Sequence, residues 1–315
     1  MIVTVTLSPA VDKTLIVPGF AAGKTNRGEI ERLDPGGKGI NVAKALQQLG
    51  CRVMALGFVA GMNGRFIRRA LEALKIEADF IDVEGETRVN LKIMDPASRT
   101  ETEINEPNFP VGPQPLERLK EKLRACASMA KVVVFSGSLP PGAPQDTYAT
   151  LIAIARRQGA RTILDTSGAA LARGIEARPD VVKPNRAEAE ELLGRRLNNQ
   201  TELAGAVREL LGMGPSTAVI SLGAEGLVAG RRDRILHAAP PSIQARSSVG
   251  AGDALVAALA CAMVEGLDFE AAVRLATAMG AATAAAGGSS VADMDAVRAL
   301  LPAVALTRFD EDMPT

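Results

Sequence analysis

"SSVGAGDALVAAL", residues 247–259, sets three small residues directly before an aspartate and an apolar run. At Gly250, Ala251 and Gly252 the backbone N–H groups can approach an anion closely, and a helix opening behind them turns its positive end to the same spot. Asp253 then falls in the first helical turn. Two readings of that carboxylate stand side by side. Acidic residues are common at helix starts because they complement the dipole. A carboxylate beside a phosphate-binding turn is also where a base for a hydroxyl proton is useful. The apolar run, Ala254 to Val264, is well short of the roughly 20 residues that span a bilayer and reads as a buried helix.

Outward from this stretch, β-rich runs alternate with amphipathic ones: "VTVTL", "INVAKALQQL", "RVMALGFV", "GRFIRRALEAL", then "KVVVFSG", "YATLIAIARR", "RTILD" and "TAVISLG". That alternation predicts βαβ units, hence an α/β fold with a mostly parallel sheet covered by helices on both faces. Past residue 250 the pattern becomes mainly helical. Residues 13–35 and 85–108 break the rhythm with alternating, charge-rich segments such as "RVNLKIMD" and "TETEINE", which suit strands with one solvated face. They read as a small second sheet inserted into a body made of residues 1–12, 36–84 and 109–315. Periodicity alone also allows two exposed hairpins without a role. "PGFAAGKTN", residues 18–26, approaches the P-loop pattern but has three residues rather than four between Gly19 and Gly23, so it reads as a turn between strands.

Thirty-six basic residues balance thirty-six acidic ones. A formal charge of zero gives no electrostatic footprint for nucleic acid or an anionic membrane, so small molecules are the expected partners. Cys51, Cys126 and Cys261 are far apart in the chain and form no C-x-x-C pair, which fits a reducing cytoplasm better than a disulfide framework or a zinc site. "MIVTVTL" lacks a basic leader, so no signal peptide is expected. His237 is the single histidine, which argues against a mechanism built on imidazole pairs.

Four further stretches could carry chemistry. In "LDPGGKGINVAKAL", residues 33–46, Gly36, Gly37 and Gly39 precede a helix and offer backbone donors to polar oxygens or phosphate. In "DVVKPNRAEAEELLG", residues 180–194, Lys183, Asn185 and Glu188 lie at a strand end and helix start. Asn and Glu three apart can organise water around a metal or form a reciprocal cap. "LDTSG" with Asp165 and "ISLGAEG", residues 220–226, end two more strands, and ligands of open α/β sheets bind beyond such carboxyl ends.

"GGKGIN", "SGSLPPG", "KPNRAE", "SLGAEG" and "VGAGDA", in this order and spacing, resemble the phosphofructokinase B branch of the ribokinase-like carbohydrate kinases, over nearly the whole chain. Within the branch, "TLSPAVDKT", "ETRVNLKI" and "TEINEP" are similar to the 1-phosphofructokinase group, with tagatose-6-phosphate kinases close behind. The resemblance implies a three-layer α/β/α fold with an inserted β-lid. It also implies ATP-dependent phosphorylation of a phosphorylated ketohexose. Fructose 1-phosphate is the expected acceptor, tagatose 6-phosphate and fructose 6-phosphate are the alternatives, and a catalytically inactive sugar-phosphate sensor is the non-enzyme reading.

Residue roles follow by the same resemblance. Asp253 matches the base, and Gly250, Ala251 and Gly252 match an anion hole for the transferring group. Asp12, Gly37, Lys38 and Asn41 match sugar contacts. Arg88 and Arg27 match ligands of the substrate phosphate, and Ser136 and Ser138 line the sugar or phosphate side. Lys183, Asn185, Ser221, Gly223 and Gly226 fall on the nucleotide side. Asn185 and Glu188 match the motif that holds Mg²⁺ through water, with Asp165 a further candidate, and a monovalent cation is a second implied ion. A homodimer through the lid is the implied assembly. Ser8 in "LSPAVD" departs from the family, where asparagine is frequent.

Overall fold

The computed structural model describes residues 1–232, 234–247, 249–286 and 292–309. In chain order the strands are β1 (Ile2–Thr6), β2 (Ala10–Ile16), β3 (Glu29–Gly36), β4 (Val53–Val59), β5 (Glu77–Asp82), β6 (Val89–Asp95) and β7 (Thr100–Asn105). They continue as β8 (Val132–Ser136), β9 (Arg161–Asp165), β10 (Val181–Val182), β11 (Thr217–Ser221), β12 (Leu227–Arg231), β13 (Arg234–Ala239) and β14 (Ala305–Arg308). Ten of them form one sheet in the order β14-β13-β12-β11-β10-β9-β8-β1-β4-β5. From β11 to β5 every pairing is parallel. The antiparallel β12, β13 and β14 extend one edge.

Parallel strands buried on both faces need side chains that are apolar in both directions. β1 and β8, "IVTVT" and "VVVFS", are buried at every position. Their alternate residues feed two separate cores. Ile2, Val132 and Val134 pack with Ala254, Val256 and Ala260 of the helix Ala251–Glu265. Val3, Val133 and Phe135 pack with Leu119, Leu151 and Leu171 on the opposite face. The three-layer α/β/α fold expected from the sequence follows from that division. Helix Ala251–Glu265 is buried from Asp253 to Ala262, which accounts for the apolar run noted above. Among the described residues no helix is long and apolar enough to cross a membrane.

The remaining four strands form a separate sheet in the order β3-β2-β6-β7. Its register lines up cross-strand rows. Asp34, Asp12, Asn90 and Asn105 make one row, and Arg32, Thr14, Lys92 and Glu103 make the next on the same face. The intervening row, Leu33, Lys13, Leu91 and Ile104, belongs to the opposite face because side chains alternate along a strand. A bulge between Thr14 and Leu15 then brings Ile30 onto that second face. One face is therefore polar and charged. The other exposes Ile30, Leu33 and Ile104.

Candidate functional site

Three parallel strands end at one place. β9 delivers Asp165, the chain leaving β10 delivers Lys183 and Asn185, and Ser221 at the end of β11 bridges back to Asn185. Helix Ala251–Glu265 opens over the same edge. Its N-cap, Gly250, has φ +78°, a backbone conformation that a side chain makes costly. The first helical turn is closed by Ala254 N–H donating to Gly250 O at 2.8 Å. The N–H groups ahead of Ala254 have no partner within the helix and form a cradle for an anion. Lys183 reaches that cradle: its Nζ lies 3.8 Å from where a Cβ on Gly252 would stand.

Asp253 is buried and accepts a hydrogen bond from Asn41 Nδ2 at 2.9 Å. Burial pushes its carboxyl above the usual aspartate range, and the negative charge of Asp165 adds to this, while Asn41, Lys38 and Lys183 oppose it. A raised carboxyl is the state suited to taking a proton near neutral pH. Asp165 is buried too, and burial alone would raise it as well. The ammonium groups of Lys183 at 3.1 Å and Lys38 at 3.3 Å, both on Oδ1, prevail and hold it below the usual range. Burial works against the charge on Lys38, yet Asp165, Glu188 and Asp253 keep it firmly protonated. Two aspartates of one chemistry are thus split by their surroundings into an ionised ion-pair partner and a candidate base.

Both readings of the "KPNRAE" stretch can now be weighed. Asn185 and Glu188 form a full capping box, with Glu188 N–H donating to Asn185 Oδ1 at 2.9 Å and Asn185 N–H to Glu188 Oε2 at 2.8 Å. That engages the single side-chain oxygen of Asn185 and one of the two of Glu188. Glu188 Oε1 faces Lys38 Nζ at 3.6 Å, and the buried Asp165 Oδ2 has no hydrogen-bond partner. Among the described residues no group of three His, Cys, Asp or Glu could cage a metal directly. Mg²⁺ characteristically keeps several waters and takes one or two carboxylates plus phosphate oxygens, so this sparse donor set fits it.

Two cavities meet here. The larger, about 690 Å³, runs from Lys38, Asp165, Lys183, Asn185 and the Gly250–Asp253 turn past Ser221, Gly223 and Gly226 to an apolar end at Pro240, Ile243, Leu255 and Ala281. Phosphate-binding groups at one end and an apolar slot at the other suit a nucleoside triphosphate. The smaller, about 230 Å³, lies between the polar face of the small sheet and the Gly37 turn, lined by Asp12, Arg32, Lys38, Asn41, Arg88, Asn90 and Lys92. Lys38 lines both, and the Asn41–Asp253 hydrogen bond joins them.

Asp12 in the smaller cavity is held by Asn90 Nδ2 at 2.9 Å. Burial raises its carboxyl, and Asn90, Lys44 and Arg88 pull the other way. Burial also lowers the guanidinium of Arg88, which Asp12 partly offsets. A Cβ at Gly36 would fall 2.2 Å from Asp12 Oδ2, so any other residue there would have to displace that carboxylate.

Most of the residues singled out from sequence are brought to these two cavities. Arg27 is not: it stays exposed on the connection between β2 and β3, outside the lining of the smaller cavity. Ser136 is buried at the end of β8 with an unpartnered hydroxyl, Ser138 is exposed, and neither lines a cavity. Arg32 and Lys92, absent from the sequence reading, line the smaller cavity instead. The alternation in "EIERLD" and "VNLKIMD" hinted at a shared polar face, but only strand register puts them in one row. His237, near the end of β13, bonds the Glu225 carbonyl at 2.9 Å and touches neither cavity.

Comparison with known proteins agrees with this geometry. The profile of the "pfkB family carbohydrate kinase" matches residues 3–296. A 1-phosphofructokinase of Rhodobacter capsulatus is 41% identical over 278 residues, covering 88% of each chain. One from Xanthomonas campestris pv. campestris is 42% identical over 286 residues, again covering 88% of each. Among solved structures, phosphofructokinase-2 from Escherichia coli in complex with potassium superposes with a TM-score of 0.92 at 30% identity, covering 96% of this chain and 98% of that one. By profile, by sequence and by fold alike, the chain belongs to the pfkB family of carbohydrate kinases.

Proposed function

We propose that this kinase transfers the γ-phosphoryl group of ATP to fructose 1-phosphate, giving fructose 1,6-bisphosphate and ADP. One observation carries the reading: a nucleotide-shaped cavity and a smaller cationic one meet at Lys38, Asn41 and Asp253. In the smaller cavity Asp12 and Asn90 hold sugar hydroxyls, while Arg88, Arg32 and Lys92 supply charge for the substrate phosphate; guanidinium suits the planar, paired oxygens of a phosphate. Asp253 accepts the proton of the acceptor hydroxyl as its oxygen bonds to the γ-phosphorus and the bond to ADP breaks. The Gly250–Gly252 N–H groups stabilise charge on the phosphoryl oxygens in flight. Lys183 and Lys38 balance charge on the nucleotide phosphates. Glu188, Asn185 and Asp165 are the residues that would hold Mg²⁺ through water, and a bound Mg²⁺ neutralises further phosphate charge. Potassium in the E. coli relative supports a monovalent cation here as well.

The test is a panel of kcat/KM values with fructose 1-phosphate, fructose 6-phosphate and tagatose 6-phosphate under saturating ATP. Fructose 1-phosphate is expected to give the highest value, as the names of the 41% and 42% relatives suggest. If it gives the lowest, the acceptor is misassigned and the phosphate sits at the other end of the sugar.

The small sheet supports a homodimer. A second copy is the partner of matching chemistry for the apolar face carrying Ile30, Leu33 and Ile104, since a patch of this kind facing water marks an interaction surface. Replacing both Leu33 and Ile104 by glutamate is expected to convert the protein to monomers in sedimentation velocity. An unchanged dimer in that variant places the interface elsewhere.

A further inference from the structure

Lys44 is a buried ammonium that the transfer chemistry above does not use. It lies on the helix Lys38–Gln48 and is 8% exposed. Its Nζ donates to Pro35 O at 3.2 Å, at the end of β3, and to Asn41 Oδ1 at 3.4 Å. Burial pulls its pKa down, while the charges of Asp34 and Asp12 favour keeping the proton. An ammonium so deep is costly unless its donors and charge are answered, so its position calls for a role.

The role follows from the amide of Asn41. Its Nδ2 donates to Asp253 Oδ2 at 2.9 Å, and its Oδ1 accepts from Lys44. An ammonium can only donate and a carboxylate can only accept. Of the two amide orientations, only this one satisfies both neighbours. The reversed amide would set N–H₂ against an ammonium and an oxygen against a carboxylate. Without Lys44 the oxygen end of the amide loses its constraint, and the donor that fixes one Asp253 oxygen is held from one side only.

We infer that Lys44 is a positioning residue: it locks the amide of Asn41 so that Asp253 keeps one oxygen anchored and the other directed at the acceptor hydroxyl. The same ammonium ties Pro35 O, so the end of a small-sheet strand and the base share one anchor. This inference rests on the kinase reading.

The test compares kcat and both KM values for the wild type, Lys44→Met, Asn41→Ala, the double variant and Lys44→Arg. Lys44→Met keeps the aliphatic stem and removes charge and donor. Its kcat is expected to fall roughly 10- to 100-fold, the loss of one charge-assisted hydrogen bond, with KM for ATP changed by no more than about twofold. Because Lys44 acts through Asn41, the double variant should be about as slow as Asn41→Ala alone. Lys44→Arg, which keeps charge and donors, should stay within about tenfold of wild type. Losses that multiply in the double variant, or a folded Lys44→Met with wild-type kcat, overturn the inference. Should Lys44→Met fail to fold, Lys44→Arg decides: retained turnover supports the role, and a folded Lys44→Arg as slow as Asn41→Ala contradicts it. A wild type with no sugar-dependent turnover would instead remove the kinase reading itself.

Discussion

Asp253→Asn is expected to bind ATP as the wild type does while its kcat falls by roughly 10²- to 10⁴-fold, the usual contribution of a positioned base. Asparagine keeps the shape and an oxygen for the Asn41 amide at 2.9 Å, so the local packing has no cause to change. What disappears is the proposed proton acceptor. The pH profile supplies an independent check. A free aspartate titrates near 4, and burial beside Asp165 raises the carboxyl of Asp253 above that. With the deprotonated form active, as proposed, wild-type kcat/KM is expected to fall on the acid side, with a limb above the ordinary aspartate range. The residual activity of Asp253→Asn should lack that limb. An Asp253→Asn enzyme with turnover near wild type would show that the proton leaves by another route.

Lys183→Met is expected to lower stability by about 3–5 kcal/mol, measured by urea unfolding at neutral pH. Lys183 and Asp165 form the most deeply buried ion pair of the molecule's described residues, with side chains 4% and 1% exposed. Removing the ammonium leaves Asp165 with Lys38 alone, whose side chain is 38% exposed and is shared with Glu188. The sign of the pH dependence follows from the depressed carboxyl of Asp165. A depressed acid adds stability that is present above its unfolded pKa, near 3.9, and is lost as pH falls through its lower folded value. The deficit of Lys183→Met is therefore largest at neutral pH and shrinks in acid, where Asp165 takes a proton in either protein. A deficit that is constant with pH would mean that packing of the lysine stem, and not the ion pair, is what the substitution removes.

The sequence made some of this legible and hid the rest for identifiable reasons. The Gly250–Asp253 turn could be read because its chemistry is local: glycine, helix start and carboxylate are consecutive in the chain. Parallel strands could be read because burial on both faces demands runs such as "VVVF". The "KPNRAE" stretch remained ambiguous because a capping box and a metal-water motif use the same spacing, and the fold uses it for the cap while leaving Glu188 Oε1 and Asp165 Oδ2 for other work. Arg32 and Lys92 went unnoticed because strand register decides which face a charge occupies, and Arg27 stands away from the cleft because it lies on the connection between β2 and β3 and not on a strand. Lys44 was not among the residues that the sequence singled out. Its burial depends on the end of β3 passing over it, a long-range contact that no helical period announces. Cys51 and Cys261, remote in the chain and both free, meet at one hydrophobic core. Spacing alone had set them far apart.

The central claim is that two substrates meet at Asp253 and one phosphoryl group passes directly between them. Phosphorus NMR of the purified protein with equimolar ATP and fructose 1-phosphate tests this most directly. The predicted result is fructose 1,6-bisphosphate and ADP growing together in a one-to-one ratio, with ATP stable when the sugar is left out. ADP appearing without bisphosphate, or an unchanged spectrum with each of the three sugar phosphates, would contradict it and leave a protein that senses its ligands without joining them.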